Sequence, residues 1–230
     1  MSELRLDPTT REWVIIATER AKRPRDLVSR VPHPPPEAHV ADCPFCPGNE
    51  DQTTGETASY LDPATGLWRV RVFANKFPAV RPDGSAERTQ DHPLALSAKG
   101  VGAHEVVVES ALHNRLLAEM DDDEIFDVVR SYRDRLRDLH SHEYVRQVII
   151  FKNHGPSAGT SLEHPHSQIV AAPVVPRHRR LQYDVAVQHY DERGRNLYQE
   201  MVEFEIERGL RVVRETPSFV EIHPYASRRP

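Results

Sequence analysis

The chain lacks several features that would place it at a membrane or on nucleic acid. No run of about 18 apolar residues, the length of a membrane-spanning helix, occurs in its 230 residues. The first residues, Met1 to Arg5, lack the apolar segment of a signal peptide. The 30 lysines and arginines are outnumbered by 35 acidic residues, so no excess of positive charge is available to displace counterions from nucleic acid. We therefore predict a cytoplasmic protein that binds neither membranes nor nucleic acid.

Cysteine is also scarce, because the chain contains only Cys43 and Cys46, in a Cys-Pro-Phe-Cys-Pro sequence. In a reducing cytosol such a pair is more often a metal-binding knuckle or a redox centre than a structural disulfide. No βαβ pattern surrounds it and a proline follows each cysteine, which disfavours a thioredoxin-like function. Two reduced thiols without a role are the remaining alternative. A tetrahedral site, for which zinc is the usual ion, needs two more ligands, and the candidates are His92, His104, His113, His154 and His164.

The pattern of apolar residues predicts an α+β fold with antiparallel strands and few helices. Strands are predicted at residues 12–18, 67–73, 104–109, 144–151, 210–214 and 219–222, and one more that contains residues 166–168 and ends at Pro173. A helix is predicted at residues 122–139, with Ile125, Val128, Val129, Tyr132, Leu136 and Leu139 on its apolar face. Residues 81–99 are polar and contain prolines, which predicts a loop. Residues 177–208 predict a helical segment that Gly194 interrupts.

The sequence Glu-His-Pro-His-Ser-Gln at residues 163–168 precedes an apolar run, which indicates a strand. Two histidines this close suit a site in which one is held by a metal or a structural partner and the other faces a substrate. Gln168 is the next residue on the face of His166, and its neutral amide both donates and accepts hydrogen bonds. A nucleophilic imidazole beside a neutral amide suits nucleotidyl transfer better than hydrolysis. The alternative is that both histidines are satisfied structural residues at a polar strand edge.

Four motifs occur in order along the chain: Cys-Pro-Phe-Cys at 43–46, Val-Phe-Ala-Asn-Lys-Phe-Pro at 72–78, His-Glu-Val-Val-Val-Glu-Ser at 104–110 and His-Pro-His-Ser-Gln at 164–168. With them, residues from about 6 to 175 resemble the galactose-1-phosphate uridylyltransferase family, a branch of the histidine-triad superfamily. The resemblance implies an α+β domain at residues 1–175, with a histidine-triad-like antiparallel sheet and flanking helices. It also implies that residues 176–230 form a linking helix and the start of a second similar half, which is cut short.

The resemblance implies a role for each matching residue. His166 is the nucleophile, Gln168 binds the phosphoryl group, and Ser161 donates to the phosphoryl oxygens together with nearby amides. One structural zinc is bound by Cys43, Cys46, His113 and His164. Arg20 and Arg23 form a basic loop that reaches the nucleotide-sugar from the neighbouring subunit of a homodimer. The nucleoside pocket contains Asn75, Lys76 and Phe77. The loop that holds the diphosphate contains Asn153, Gly159, Thr160 and Ser161. No iron site is expected, because the acidic ligand of that site falls near Gln182, which is not a carboxylate.

Several of these residues have simpler explanations. His113 caps a helix that begins near Asn114 if it is not a metal ligand. Asn153 and Ser161 are ordinary loop residues that hydrogen-bond their own backbone if they do not hold phosphate. Arg20 and Arg23 form a solvated surface pair if they do not reach a nucleotide. These alternatives need the structure for a decision.

The resemblance implies transfer of UMP between UDP-glucose and galactose-1-phosphate through a covalent adduct on His166. The remote ring nitrogen of His166 then needs an acceptor that fixes its tautomer, and we expect a nearby backbone carbonyl. Gln168 stands where histidine-triad hydrolases place a third histidine, which favours transfer over loss of the nucleotidyl group to water. The alternatives are transfer or phosphorolysis of AMP from ADP-glucose, hydrolysis of dinucleoside or nucleotide-sugar substrates, and a zinc-stabilised nucleotide-binding module without turnover.

Overall fold

The computed structural model describes residues 2–19 and 37–228. The chain divides into two compact units: the first is Val31–Val175, and the second combines Met1–Arg30 with Pro176–Pro230. In chain order the strands are β1 (Glu3–Leu6), β2 (Trp13–Ile16), β3 (Glu56–Leu61), β4 (Trp68–Ala74), β5 (Arg88–His92), β6 (Ala95–Ala98), β7 (Ala103–Val108), β8 (Gln147–Phe151), β9 (His166–Ala172), β10 (Val212–Glu215) and β11 (Val220–Ile222). The helices are α1 (Asp122–His140), α2 (Arg177–Arg193) and α3 (Leu197–Arg208). The predicted α+β class is confirmed, whereas the predicted domain boundary after residue 175 stays a prediction.

Five strands of the first unit form one antiparallel sheet in the order β3-β4-β7-β9-β8. One face of this sheet packs against α1, where Val128 joins Val107 in a buried cluster. The other face packs against the loop at residues 43–46, which joins Val106 and Val108 in a second buried cluster. Because both faces are covered, the last four residues of β7 are all buried, and the strand reads as a continuous apolar run after Glu105.

The helix α1 begins at Asp122, as predicted. Its start is fixed by a capping box of Asp121 and Glu124. The Asp121 carboxylate accepts a hydrogen bond from the Glu124 backbone N–H, and the Glu124 carboxylate accepts one from the Asp121 N–H. The predicted apolar face is partly wrong, since Val129 and Leu136 are 56% and 37% exposed. The buried residues of α1 are Val128, Ser131, Arg135 and Leu139. Arg135 is buried because it makes a bidentate pair with Glu105 of β7, at 2.6 and 2.8 Å, which apolar periodicity does not reveal.

The prediction of a loop at residues 81–99 is wrong, because β5 and β6 pair there as an antiparallel hairpin. Every residue of these two strands is exposed. A strand without a buried face needs no alternation of apolar and polar residues, so the pattern that indicates a strand is missing. The strands β1 and β3 were not predicted for a similar reason, since β1 has no buried residue and β3 has only one.

The second unit contains α2 and α3, which lie where the sequence predicts a helical segment at residues 177–208. Gly194 ends α2 with a φ of 67°, and its N–H donates to the Tyr190 carbonyl, so the predicted interruption is confirmed. Asn196 starts α3 by accepting hydrogen bonds from two backbone N–H groups. The two strands predicted at residues 210–214 and 219–222 are confirmed as β10 and β11, which pair with each other. That these elements begin a second similar half stays a prediction. None of the helices in the described residues is long and apolar enough to cross a membrane.

Replacement of Gly102 by alanine is expected to destabilise the sheet by about 3 kcal/mol or more, because the added carbon overpacks a site that cannot expand. A Cβ atom at this position would lie 2.1 Å from the Ala171 carbonyl oxygen in β9 and 2.9 Å from a Val80 methyl carbon. Urea unfolding measures the change. Gly55→Ala is the matched control, since nothing lies within 4 Å of its added carbon. Equal unfolding midpoints for the two variants would contradict the close approach at Gly102.

Candidate active site and metal centre

Four buried side chains form a cluster with the composition of a metal site. The Sγ atoms of Cys43 and Cys46 and one ring nitrogen each of His113 and His164 all lie within 4.8 Å of one another. Nδ1 of His164 is 3.7 Å from the Cys43 Sγ and 3.6 Å from the Cys46 Sγ, and Nδ1 of His113 is 3.5 Å from the Cys46 Sγ. A tetrahedral zinc ion with typical bond lengths has sulfur–nitrogen separations of about 3.6 Å. The four predicted ligands therefore fit a metal ion and are compatible with zinc.

The loop around the two cysteines is held by hydrogen bonds to its backbone groups. The N–H of Cys46 donates to the Cys43 carbonyl at 3.1 Å, and the side chain of Asn49 donates to the carbonyls of Ala41 and Cys43, both at 2.9 Å. The N–H of His113 donates to the Ala38 carbonyl at 2.8 Å, which brings the segment that follows β7 to this loop. The alternative role of His113 as a helix cap is wrong, because the first helical residues after it form a short 3-10 helix at Leu117–Glu119 whose N-cap is Leu116.

The tautomer of His164 is set by the backbone. Its Nε2 donates to the Ser110 carbonyl at 2.8 Å, because a carbonyl oxygen can only accept. Nδ1 is then the unprotonated nitrogen, and it is the atom that faces the two cysteine sulfurs. Burial lowers the pKa of His164 to about 4, which keeps the ring neutral. Burial also raises the pKa of the Cys43 thiol, and a bound cation would favour its thiolate.

His166 begins β9, and its ring is oriented by the backbone of His164, one of the four residues of the metal cluster. Its Nδ1 lies 2.8 Å from the backbone carbonyl of His164, and it must be the donor. A neutral ring then carries its lone pair on Nε2. This contact confirms the prediction that a nearby carbonyl fixes the ring. The ring is 8% exposed, and the edge of Phe45 packs against it with the two centroids 5.2 Å apart.

Gln168 lies on the same face of β9 as His166, two residues further along. In the pairing with β7, His166 is opposite Val108 and Gln168 is opposite Val106, both of which pack against the cysteine loop. The Oε1 atom of Gln168 accepts a hydrogen bond from the Nε2 atom of His104 at 2.8 Å. By sequence, His104 is a candidate metal ligand. Within the described residues it is not part of the metal cluster but a neighbour of Gln168.

A buried carboxylate, Glu109, supports the opposite face of the same strand. Glu109 is 1% exposed, and it accepts hydrogen bonds from the hydroxyls of Tyr132 and Ser167 and pairs with the ammonium of Lys152. Burial and the negative charge of Glu109 raise the pKa of Tyr132. Ser167 stands between His166 and Gln168, so this network holds the strand from the side of α1. A buried carboxylate is stable only with such partners, and the sequence showed the residues without showing their contact.

The predicted diphosphate loop lies between β8 and β9. Gly159 and Ser161 are exposed, whereas Asn153 and Thr160 are half-buried. Thr160 donates through its hydroxyl to the Leu162 carbonyl at 3.1 Å, which is a local loop contact. Gly159 has a φ of 76°, a conformation that side chains disfavour. The phosphate-binding role of these four residues stays a prediction.

The predicted nucleoside segment follows β4. Asn75 is half-buried, and its Nδ2 atom is 3.4 Å from the Oε1 atom of Gln168. Lys76 is exposed, and Phe77 is 83% exposed. The predicted basic pair, Arg20 and Arg23, lies outside the described residues.

Comparison with known proteins gives consistent results. Residues 1–176 match the family model described as galactose-1-phosphate uridyl transferase, N-terminal domain. An ADP-glucose phosphorylase from Arabidopsis thaliana is 34% identical over 229 residues, which cover 99% of this chain and 63% of that protein. A galactose-1-phosphate uridylyltransferase from Thermotoga maritima is 31% identical over 230 residues, which cover 100% of this chain and 64% of that protein.

Solved structures show the same similarity. A crystal structure of an ADP-glucose phosphorylase from Arabidopsis thaliana with bound ADP-glucose has a TM-score of 0.76 and 30% identity, and the match covers 99% of this chain and 65% of that one. A structure of a uridylyltransferase has a TM-score of 0.61 and 28% identity, with 94% of this chain and 59% of that one covered. The chain thus spans less than two thirds of the length of the proteins that it matches here.

Proposed function

Since the chain belongs to the galactose-1-phosphate uridylyltransferase family, we propose that it transfers a nucleoside monophosphate from a nucleotide-sugar through a covalent adduct on His166. The observation that supports this most directly is the contact between the Nδ1 atom of His166 and the His164 carbonyl at 2.8 Å. It leaves the Nε2 atom of a neutral ring as the free nucleophile. Imidazole is a good nucleophile at phosphorus and a good leaving group, so one residue serves both half-reactions.

In the first half-reaction, the Nε2 atom of His166 attacks the α-phosphorus of the nucleotide-sugar. A nitrogen–phosphorus bond forms, and the bond from that phosphorus to the bridging oxygen breaks. The sugar phosphate leaves with the bonding electron pair and needs no proton from the protein. In the second half-reaction, a phosphate oxygen of the acceptor attacks the same phosphorus, and His166 leaves as neutral imidazole.

Negative charge on the phosphoryl oxygens requires donors that are already in position. The proposed donors are the amide of Gln168, the hydroxyl of Ser161 and the backbone N–H groups of Gly159 and Thr160. Gln168 is neutral and cannot give a proton to a departing group as a histidinium can. This difference supports transfer to a phosphorylated acceptor over hydrolysis.

The proposed metal is one zinc ion, bound by Cys43, Cys46, His113 and His164. An ion with four protein ligands has no open position for a substrate, so its contribution is structural. It would tie the cysteine loop and His113, which lies after β7, to His164, whose carbonyl orients His166. This arrangement is the rigid support that a nucleophile requires. The absence of an iron site near Gln182 stays a prediction.

Two donors are supported by specific observations. The first is UDP-glucose with galactose-1-phosphate as acceptor, as the family and the Thermotoga maritima relative suggest. The second is ADP-glucose, supported by the 34% identical phosphorylase and by the structure with ADP-glucose bound. In either case Asn75, Lys76 and Phe77 are the proposed nucleoside contacts. The proposed homodimer, in which Arg20 and Arg23 reach the nucleotide-sugar of the neighbouring subunit, and the cytoplasmic location belong to the same hypothesis.

The test is incubation of the chain with UDP-glucose or ADP-glucose that carries radioactive phosphorus in the α-phosphate. We expect acid-labile label on the protein from one of the two donors, and its release by galactose-1-phosphate or by inorganic phosphate. Donor labelled in the β-phosphate is the matched control, because that phosphorus leaves with the sugar and must not remain on the protein. Label from the uridine donor supports the first candidate, and label from the adenine donor supports the second. Binding of both donors without label would refute the transfer and favour a nucleotide-binding module.

A further inference from the structure

His104 is a ring on β7 that has no part in the proposed reaction, yet both of its nitrogens are engaged. Its Nδ1 atom accepts a hydrogen bond from the backbone N–H of Ala79 at 3.0 Å. Its Nε2 atom lies 2.8 Å from the Oε1 atom of Gln168. The ring is therefore a link between the backbone of the segment after β4 and the side chain that is proposed to bind the phosphoryl group.

The donor and the acceptor in each hydrogen bond of the His104 ring follow from the group at the other end of that bond. A backbone N–H can only donate, so Nδ1 of His104 is an acceptor and carries no proton. A neutral ring then has its proton on Nε2, which donates to Gln168. The receiving atom of the Gln168 amide must be its oxygen, since the nitrogen end has no acceptor capacity.

Asn75 supplies a second donor to the same oxygen by the same logic. Its Oδ1 atom accepts a hydrogen bond from the backbone N–H of Phe77 at 2.8 Å, which leaves its Nδ2 atom 3.4 Å from Oε1 of Gln168 and 3.3 Å from Nε2 of His104. Because both of these nitrogens carry protons, they do not bond to each other, and each donates to the Gln168 oxygen. Two backbone N–H groups thus orient two side chains, and both side chains present donors to one carbonyl oxygen. The NH₂ end of Gln168 is left to point away from them.

The strand register places this arrangement on the face of the proposed nucleophile. His104 is opposite Val170, and Gln168 is opposite Val106, so the two side chains are diagonal neighbours across β7 and β9. His166 lies on the same face of β9, one position before Gln168 on that face. The NH₂ group of Gln168 has no hydrogen-bond partner among residues 2–19 and 37–228, so it is available to a phosphoryl group attached to His166.

We propose that His104 is a positioning residue that fixes the Gln168 amide with its NH₂ group toward the transferred phosphoryl group. The proposal rests on the proposed function, because it concerns the same reaction. Without the donor from His104, the amide can rotate by half a turn and present its carbonyl oxygen instead. An oxygen in that place repels the phosphoryl oxygens, so the rotated form slows transfer while leaving the donor bound.

The experiment measures the single-turnover rate at which the α-phosphate label appears on the full chain at saturating donor. His104→Phe removes both hydrogen bonds and keeps a ring, and we expect it to slow labelling about 10-fold, the effect of one hydrogen bond. The donor concentration for half-maximal rate should change less than about 2-fold, as for a contact felt only in the transition state. His104→Gln is the matched control, because its acceptor and donor atoms have the same one-three spacing as those of the ring. It should recover most of the rate.

The decisive comparison is a double-mutant cycle with Gln168→Ala. If His104 acts through Gln168, then His104→Phe should slow labelling less than about 2-fold in the Gln168→Ala background. A full 10-fold loss of the labelling rate in the Gln168→Ala background would overturn this proposal and leave the proposed function intact. The same holds if the phenylalanine and glutamine variants do not differ. Absence of label on the unaltered chain would overturn the proposed function and this proposal together. Zinc content and near-ultraviolet circular dichroism report folding, and His104→Ala replaces the phenylalanine variant if the larger ring does not fit.

Discussion

Replacement of His166 by alanine is expected to slow transfer by at least roughly 10⁴-fold, because loss of a covalent nucleophile in other enzymes costs on the order of 10⁶ in rate. In the structure, the proposed attack depends on the Nε2 atom of this ring, since Nδ1 is held by the His164 carbonyl. No other nitrogen on this face of β9 is free to replace it, because Gln168 offers only an amide. The measurement is acid-labile label on the protein together with the steady-state rate.

His166→Asn separates the nucleophile from the fold. The Nδ2 atom of asparagine overlaps the Nδ1 position of the ring and can still donate to the His164 carbonyl, whereas nothing replaces Nε2. We expect this variant to be as inactive as His166→Ala but to keep the stability and the metal content of the original chain. His140→Ala, at an exposed histidine of the same unit, should label normally. Normal labelling of either His166 variant would show that the nucleophile lies elsewhere.

The metal cluster could be predicted from the sequence because its ligands are chemically distinctive. Two cysteines and a small set of histidines limit the combinations, and the resemblance selected His113 and His164 among five candidates. The structure brings these four residues together, although they are up to 121 positions apart in the chain. The position of His166 followed from the same motif. The chemical identity of the residues limited the candidates, and the resemblance chose among them.

The partners of Gln168 and Glu109 could not be predicted, because they depend on strand register. His104 meets Gln168 only because β7 pairs with β9 in the register that places Val106 opposite Gln168. A shift of one residue would move His104 to the other face of the sheet. Glu109 presents a similar case, since an acidic residue after an apolar strand is usually at the surface. Its burial depends on Lys152 and on two hydroxyls from other elements.

The errors in the helix and loop predictions have the same origin in tertiary contacts. Apolar periodicity put Val129 and Leu136 in the core, but Arg135 takes part of that face through its pair with Glu105. The hairpin at 88–98 was missed because none of its residues is buried. Periodicity reports which residues are apolar, and it therefore predicts burial only where apolar contacts decide the packing.

Loss of the proposed zinc ion is expected to lower the free energy of unfolding by more than about 4 kcal/mol, because a metal that ties several segments together is among the largest single contributions to stability. Cys46→Ser keeps the size of the side chain and removes one ligand, so zinc content should fall from about one ion per chain to near zero. The three remaining ligands would then be buried without their common partner, since Cys43, His113 and His164 are 6%, 6% and 0% exposed. Urea unfolding and metal analysis of the purified chain measure both effects.

Phe45→Leu is the control for this prediction, because it changes the packing of the same loop and keeps all four ligands. It should retain one zinc ion and lose no more than about 1.5 kcal/mol, as hydrophobic replacements of similar volume do. The label on His166 should disappear with the metal in Cys46→Ser, since the carbonyl that orients the ring belongs to the ligand His164. A Cys46→Ser protein that is metal-free, as stable as the original and still labelled would show that the cluster supports neither the fold nor the nucleophile. The geometry of the four ligand atoms argues for the opposite result, because separations of 3.5 to 3.7 Å between sulfur and nitrogen are those of ligands around one ion.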